Sequence, residues 1–97
     1  MAVIALLELR LQPEILEKAY QMLREILADT RAFEGCLGVD VLIDNADPAH
    51  IVVHETWASL ERDAAYREWR AGDGATALGT VLAGPPSLTL FTTSSDI

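Results

Sequence analysis

The side chains best suited to proton transfer and aromatic recognition lie together, between Glu55 and Trp69, a stretch that also holds Trp57 and Tyr66. A carboxylate beside an indole and a phenol can bind an aromatic molecule, accept a proton from it and pass that proton on. Ile51, Val53, Glu55 and Trp57 share one face of a strand by parity, so Glu55 stands on an apolar face where a carboxylate is costly unless paired or used. Two readings stay open for it: a base or substrate anchor, or a structural ion pair with Arg62, Arg67 or Arg70. Trp57 either closes a pocket between sheet and helix or fills the core at a strand end. Tyr66 either offers its hydroxyl to the same cleft or is plain core, and Ala65 and Trp69 share its side of the helix.

Other reactive residues offer less. His50 and His54 would share a metal ion if they sat on a helix, but on a strand their Cα atoms lie roughly 13 Å apart and cannot hold one ion together. His54 shares its face with Val52 and Thr56, which suits a structural or interface role. Cys36 has no histidine nearby in sequence and reads as a small buried residue. No glycine-rich phosphate loop, serine elbow, paired-cysteine motif or calcium loop occurs, so neither a metal nor a cofactor is expected.

The elements that must position these residues follow from periodicity. Residues 3–11 read as a central strand, continuously apolar at first and then alternating with Glu8 and Arg10. Pro13 suits a first helical turn, and Ile15, Leu16, Ala19, Tyr20, Leu23, Ile26 and Leu27 recur at helical spacing until Gly35 ends the helix. In residues 36–43, Leu37, Val39, Val41 and Ile43 fall on one face and Cys36, Gly38, Asp40 and Leu42 on the other. Residues 44–48 form a turn, and residues 50–57 return as an antiparallel partner. Ser59 caps a helix over 59–71, a weaker helix is expected over 75–82, and residues 87–93 read as a last strand. The order strand, helix, strand, strand, helix, strand is the split βαβ, ferredoxin-like plan of an α+β protein, with an antiparallel sheet in one domain over 1–97.

Two helices cover one face of such a sheet, yet Ile4, Leu6, Leu42 and Val52 put apolar groups on the other. Burying that face at roughly 25 cal/mol per Å² favours pairing two sheets, so a homodimer is expected. The net charge of −8, with 7 Lys and Arg against 15 Asp and Glu, disfavours nucleic acid and anionic membrane surfaces as partners. A single cysteine gives no sign of an oxidising compartment, and the apolar opening is broken by Glu8 and Arg10 before it could serve as a leader or a span. The expected compartment is the cytoplasm.

Three segments together resemble the antibiotic biosynthesis monooxygenase family: Thr30-Arg31-Ala32-Phe33-Glu34-Gly35-Cys36-Leu37-Gly38, Asp44-Asn45-Ala46-Asp47-Pro48, and Glu55-Thr56-Trp57-Ala58-Ser59. The resemblance implies a dimeric α+β barrel with a ligand cleft between the helices and the sheet of each subunit. It also implies an activity drawn from cofactor-free oxygenation of aromatic polyketides, quinol oxidation or haem degradation, or none at all. Trp57 matches the family's pocket tryptophan, and Tyr66 falls near the helix position where members place His or Tyr. Leu7 stands where the haem-degrading branch would carry asparagine, and no histidine follows His54, so that branch is least similar. Val53 stands where the polyketide-type members carry a polar residue.

The resulting expectation is a cofactor-independent monooxygenase or quinol oxidase that brings a small phenolic or polyketide-like aromatic together with O2. Trp57, Tyr66 and Glu55 would be catalytic, and Leu7, Val53 and Trp69 would contact the substrate. The alternative is a non-catalytic homodimer that holds a small hydrophobic molecule in the same cleft.

Overall fold

The computed structural model describes residues 1–97 as strand β1 (Val3–Arg10), helix α1 (Leu16–Ala32), strands β2 (Cys36–Asp44) and β3 (Asp47–Trp57), helix α2 (Leu60–Ala71) and strand β4 (Ser87–Thr92). Two short 3-10 turns, Pro13–Ile15 and Leu78–Val81, precede α1 and follow α2. The sheet order is β2-β3-β1-β4 with every neighbouring pair antiparallel. β3 thus fills the gap that β1, α1 and β2 leave, which is the ferredoxin-like split βαβ arrangement of the α+β class.

Period-two alternation sets the register. Ala5 faces Glu55, Leu7 faces Val53 and Leu9 faces Ile51, so the inner residues of the two central strands lie side by side beneath the helices. α1 lays Ala19, Leu23, Leu27 and Thr30 on this face, at spacings of three and four residues that follow its 3.6-residue turn. Gly35 ends the connection at φ 93°, and a Cβ there would come within 2.5 Å of the Arg62 side chain. Ser59 caps α2 by accepting the Arg62 amide at 3.2 Å, as its position implies.

Four details depart from the periodic reading. β3 begins at Asp47 rather than residue 50, because Asp44 and Asp47 accept the amides of Ala46 and Ala49 and tighten the turn. Pro48 is tolerated inside the strand because the register shifts there. A second shift, between Cys36 and Gly38, puts Cys36 opposite Trp57 on the inner face and throws Leu37 outward. Cys36 therefore does not share a face with Gly38. α2 buries Asp63 and Tyr66 rather than Ala65, and only the 3-10 turn Leu78–Val81 forms where a weaker helix was expected.

The outer sheet face carries no helix. Leu42 and Phe91 are 51% and 50% exposed there, with Ile4, Leu6 and Val52 half-buried between them. No helix is long and apolar enough to cross a membrane. At one end of this face the His50 ring lies between two carboxylates, with Nδ1 at 2.9 Å from Asp44 and Nε2 at 2.6 Å from Glu8. The bonds to Asp44 and then Glu8 hold the His50 pKa above its ordinary value, opposed by partial desolvation and by Arg10 across the strand pair. The same bond to His50, joined by the Ala46 amide, holds Asp44 below its usual range. A histidine raised on folding adds stability below its unfolded pKa of about 6.5 and loses it as pH climbs through the folded value. An aspartate lowered on folding adds stability above about 3.9 and loses it as pH falls through its folded value. The stability difference between wild type and His50→Gln, read from urea midpoints, is therefore expected to be largest at about pH 5–6 and to shrink above neutrality. A difference that does not vary with pH would rule out an imidazolium held by this pair.

Candidate functional site

Between the two helices and the inner sheet face lies a cavity of about 160 Å³. Leu7, Val53 and Glu55 form its floor, α1 supplies Leu23, Ile26 and Leu27, α2 supplies Tyr66, Arg67 and Arg70, and Thr76 and Leu78 complete the wall. The cavity exists because α2 turns a polar face to the sheet. Residues 63, 66, 67 and 70 are one helical stripe, so Tyr66, Arg67 and Arg70 line the space that an apolar stripe would have filled, with Asp63 bonded to Arg67 behind them.

Glu55 is 1% exposed. Its Oε1 accepts the Trp57 indole N–H at 3.0 Å and Arg67 Nη2 at 2.6 Å, while Arg67 also donates to Asp63 Oδ1 from Nε at 3.2 Å and Nη2 at 3.1 Å. Of the three arginines within sequence reach, Arg67 is thus the ion-pair partner, and Arg62 pairs with Glu34 at 3.3 Å instead. Glu55 Oε2 takes no hydrogen bond from the protein. Since no fully buried side-chain oxygen or nitrogen lacks a partner, Oε2 must open onto the cavity that Glu55 lines. One carboxylate oxygen holds the residue in place and the other is free to meet a ligand.

Arg70 is bound entirely by neutral acceptors. Nε donates to the Tyr66 hydroxyl at 2.8 Å, Nη1 to the Gly74 carbonyl at 3.1 Å, and Nη2 to the Ile26 carbonyl at 2.8 Å and Thr30 Oγ1 at 3.1 Å. Its positive charge at the cavity wall therefore has no carboxylate of its own. Thr30 Oγ1 lies 3.2 Å from the Ile26 carbonyl and 2.6 Å from the Tyr66 hydroxyl, a contact in which either oxygen can donate. The Tyr66 hydroxyl thus bonds Thr30 and accepts from Arg70, which ties α2 to α1.

Of the aromatic residues in the 55–69 stretch, only Tyr66 reaches the cavity wall. Trp57 is fully buried beyond it, with its ring centroid 4.8 Å from that of Tyr66 and 6.2 Å from that of Phe33. It bears on the cavity through its bond to Glu55, so it positions the carboxylate and does not close a pocket. Trp69 lies farther out, 5.3 Å from Phe33, with Arg70 over its ring at 4.5 Å and Gly74 against it so closely that a Cβ would come within 2.3 Å. Neither indole lines the cavity, whereas Leu7 and Val53 do. Cys36 packs against the buried residues of the inner face, and burial pushes its thiol pKa up, away from a nucleophilic thiolate. No group of three or more His, Cys, Asp and Glu side chains converges as a metal cluster. His54 lies on the outer face beside Leu6 and Asp40. Arg67 and Arg70 are two of the three arginines that the sequence offers as partners for Glu55, whereas Thr30 is a site residue that no local pattern singles out. The 63, 66, 67, 70 spacing was the available signal for the two arginines, whereas Thr30 reaches Tyr66 across 36 residues and had none.

The profile of the family described as antibiotic biosynthesis monooxygenase matches residues 2–78, most of the chain. The chain belongs to the antibiotic biosynthesis monooxygenase family. Among solved structures, a "putative antibiotic biosynthesis monooxygenase" from Deinococcus radiodurans is 26% identical, with a TM-score of 0.82 over 98% of this chain and 95% of its own. A structure described as an antibiotic biosynthesis monooxygenase is 23% identical, with a TM-score of 0.79 over 95% of this chain and 98% of that one. A conserved protein from Methanosarcina mazei Go1 reaches a TM-score of 0.83 at 16% identity, covering 97% of this chain and 94% of its own. No curated protein matches the sequence. In this family member the matched span contains every residue that lines the cavity.

The Glu55 network sets a stability expectation. Glu55→Ala would leave the Trp57 indole without an acceptor and Arg67 with Asp63 alone, at a cost of about 3 kcal/mol in urea unfolding, in the range for breaking a buried pair. A cost below about 1 kcal/mol would mean that the carboxylate does not anchor the floor.

Proposed function

We propose that the protein is a cofactor-independent monooxygenase or quinol oxidase that brings a small phenolic aromatic into the inter-helix cavity to react with O2. The observation that carries this reading is the unpartnered Oε2 of the buried Glu55, facing a cavity of mixed aliphatic and charged lining beside Arg70, which has no carboxylate partner. An acceptor and an unneutralised cation on one cavity suit a ligand that enters as a neutral phenol and becomes an anion. Leu7 and Val53 would flank the ring, and Tyr66 would present its hydroxyl oxygen.

The substrate hydroxyl donates to Oε2, and the proton passes to Glu55 as the ring becomes an electron-rich anion stabilised by Arg70 and Arg67. That anion gives one electron to O2, and the two radicals combine at a ring carbon. The resulting peroxide loses water to leave a quinone, so one phenol and one O2 yield one quinone and one water. A hydroquinone substrate instead transfers two electrons and two protons to O2, yielding a quinone and hydrogen peroxide. The protein's part is to orient the ring, exclude water from the anion and hold the proton. Trp57 acts by fixing the Glu55 carboxylate, and Trp69 by supporting Arg70 from outside.

Oxygen uptake by purified, metal-free protein with a panel of phenols, hydroquinones and anthrones tests the reading. Uptake should exceed background with at least one member of the panel, and Glu55→Gln should lower kcat by about 10²–10⁴-fold. Tyr66→Phe should lower it by about tenfold or less, because the hydroxyl is already engaged by Thr30 and Arg70. No uptake with any compound would overturn the enzymatic reading. Tight ligand retention without turnover would then favour a non-catalytic small-molecule-binding protein, a role that the fully engaged Glu55 Oε1 and Arg67 pair supports.

The bare outer face, with Leu42 and Phe91 exposed beside Ile4, Leu6 and Val52, supports pairing with a second copy as a homodimer. The cytoplasm is the compartment we propose, since the one cysteine has no disulfide partner. Light scattering should give twice the chain mass, and the double substitution Leu42→Asp with Phe91→Asp should halve it. A wild-type protein of single-chain mass at micromolar concentration would rule the dimer out.

A further inference from the structure

The cavity is one of two spaces beneath α1. On the β2 side a groove of about 210 Å³ runs between Tyr20 of the helix and Val41 and Ile43 of the strand. Its floor and that of the cavity are register partners. Val41, in the groove, lies directly opposite Val53, in the cavity, so the floors of the two spaces are neighbouring strands, about 4.8 Å apart. Leu23 and Leu27, one helical turn apart, line both spaces. Both side chains are buried, and they form the wall between the two.

Size gives that wall a consequence. An apolar cavity of about 150 Å³ holds one benzene ring. The cavity here, at about 160 Å³, is partly polar and open on one side; a single ring fills it, and a fused second or third ring that stays beneath α1 would need the space beyond the leucines. Resting on the function proposed above, we infer that Leu23 and Leu27 are specificity-determining residues, a partition that restricts the site to one-ring phenols and excludes fused polycyclic ones. Shortening either leucine joins the cavity to the groove and makes a passage beneath α1 long enough for fused rings. The selectivity runs against the ordinary trend, in which larger apolar ligands bind more tightly because they bury more surface.

Titration calorimetry under anaerobic conditions with phenol, 1-naphthol and 9-phenanthrol separates binding from turnover. Wild-type protein should bind phenol at least tenfold more tightly than 9-phenanthrol, and Leu27→Ala should lower that ratio at least tenfold. If Leu27→Ala does not fold, Leu27→Val and Leu23→Val should each shift the ratio in the same direction by threefold or more. Binding of 9-phenanthrol to the wild type as tightly as phenol, or a ratio unmoved in the folded variants, would overturn the partition and leave the proposed function standing. Failure of all three ligands to bind the wild type would overturn both.

Discussion

A buried carboxylate on the central strand is the constraint from which the rest of the site follows. Glu55 occupies an inward position between Val53 and Trp57 on its strand, and its partners on the adjoining strands, Ala5 and Val39, are also apolar. An ionised group there requires a partner, and two elements provide one: the Trp57 indole from the same strand and Arg67 from α2. Because Arg67 must reach the sheet, α2 is rotated so that its charged stripe faces inward and Ala65 faces solvent. A helix with that stripe cannot pack as closely as one lined with leucine, and the cavity is the space left over. The arrangement saturates one oxygen of Glu55 and leaves the other in contact with the cavity.

The second consequence is the tie between the helices. Arg70, Tyr66 and Thr30 form a closed set of hydrogen bonds that also takes in the Ile26 and Gly74 carbonyls. It holds α1 and α2 at the separation that keeps the cavity open, in place of the apolar contacts that would have closed it. A polar network that is fully satisfied gives rigidity and a defined geometry at little net cost. Tyr66 takes part in it while also forming cavity wall, so its hydroxyl serves structure first. The aromatic layer of Phe33, Trp57, Tyr66 and Trp69 then packs behind this network and supplies the apolar burial that the cavity forgoes.

Both faces of the sheet are thus incompletely covered, for different reasons. The inner face is open between the helices because charges are there. The outer face is open because a chain of this length has only two helices to give, and both lie on the inner side. His50, with Asp44 and Glu8, marks one end of that outer face with a compact charged group, so its apolar part has a defined boundary.

The order of elements, the inward parity of Glu55 and Trp57 and the apolar character of the outer face are local matters of period and turn chemistry, and the sequence by itself determined them. Ile51, Val53, Glu55 and Trp57 alternate, the residues of α1 recur every three or four, and Ser59 and Gly35 mark helix ends. Each signal is complete within a few residues. What only the tertiary structure decided rests on contacts between elements. A register shift at Cys36, which no local pattern announces, moved that thiol to the inner face. The choice of Arg67 over Arg62 and Arg70 as partner to Glu55 depended on the rotation of α2, which its weak apolar pattern left open. Trp57 and Trp69 were placed behind the cavity and Tyr66 at its wall because ring packing and the reach of Thr30 from α1 fix those side chains in three dimensions. The residue types and their strand or helix faces are one-dimensional facts, whereas which of them share a cavity depends on how two helices settle on a sheet around one buried charge.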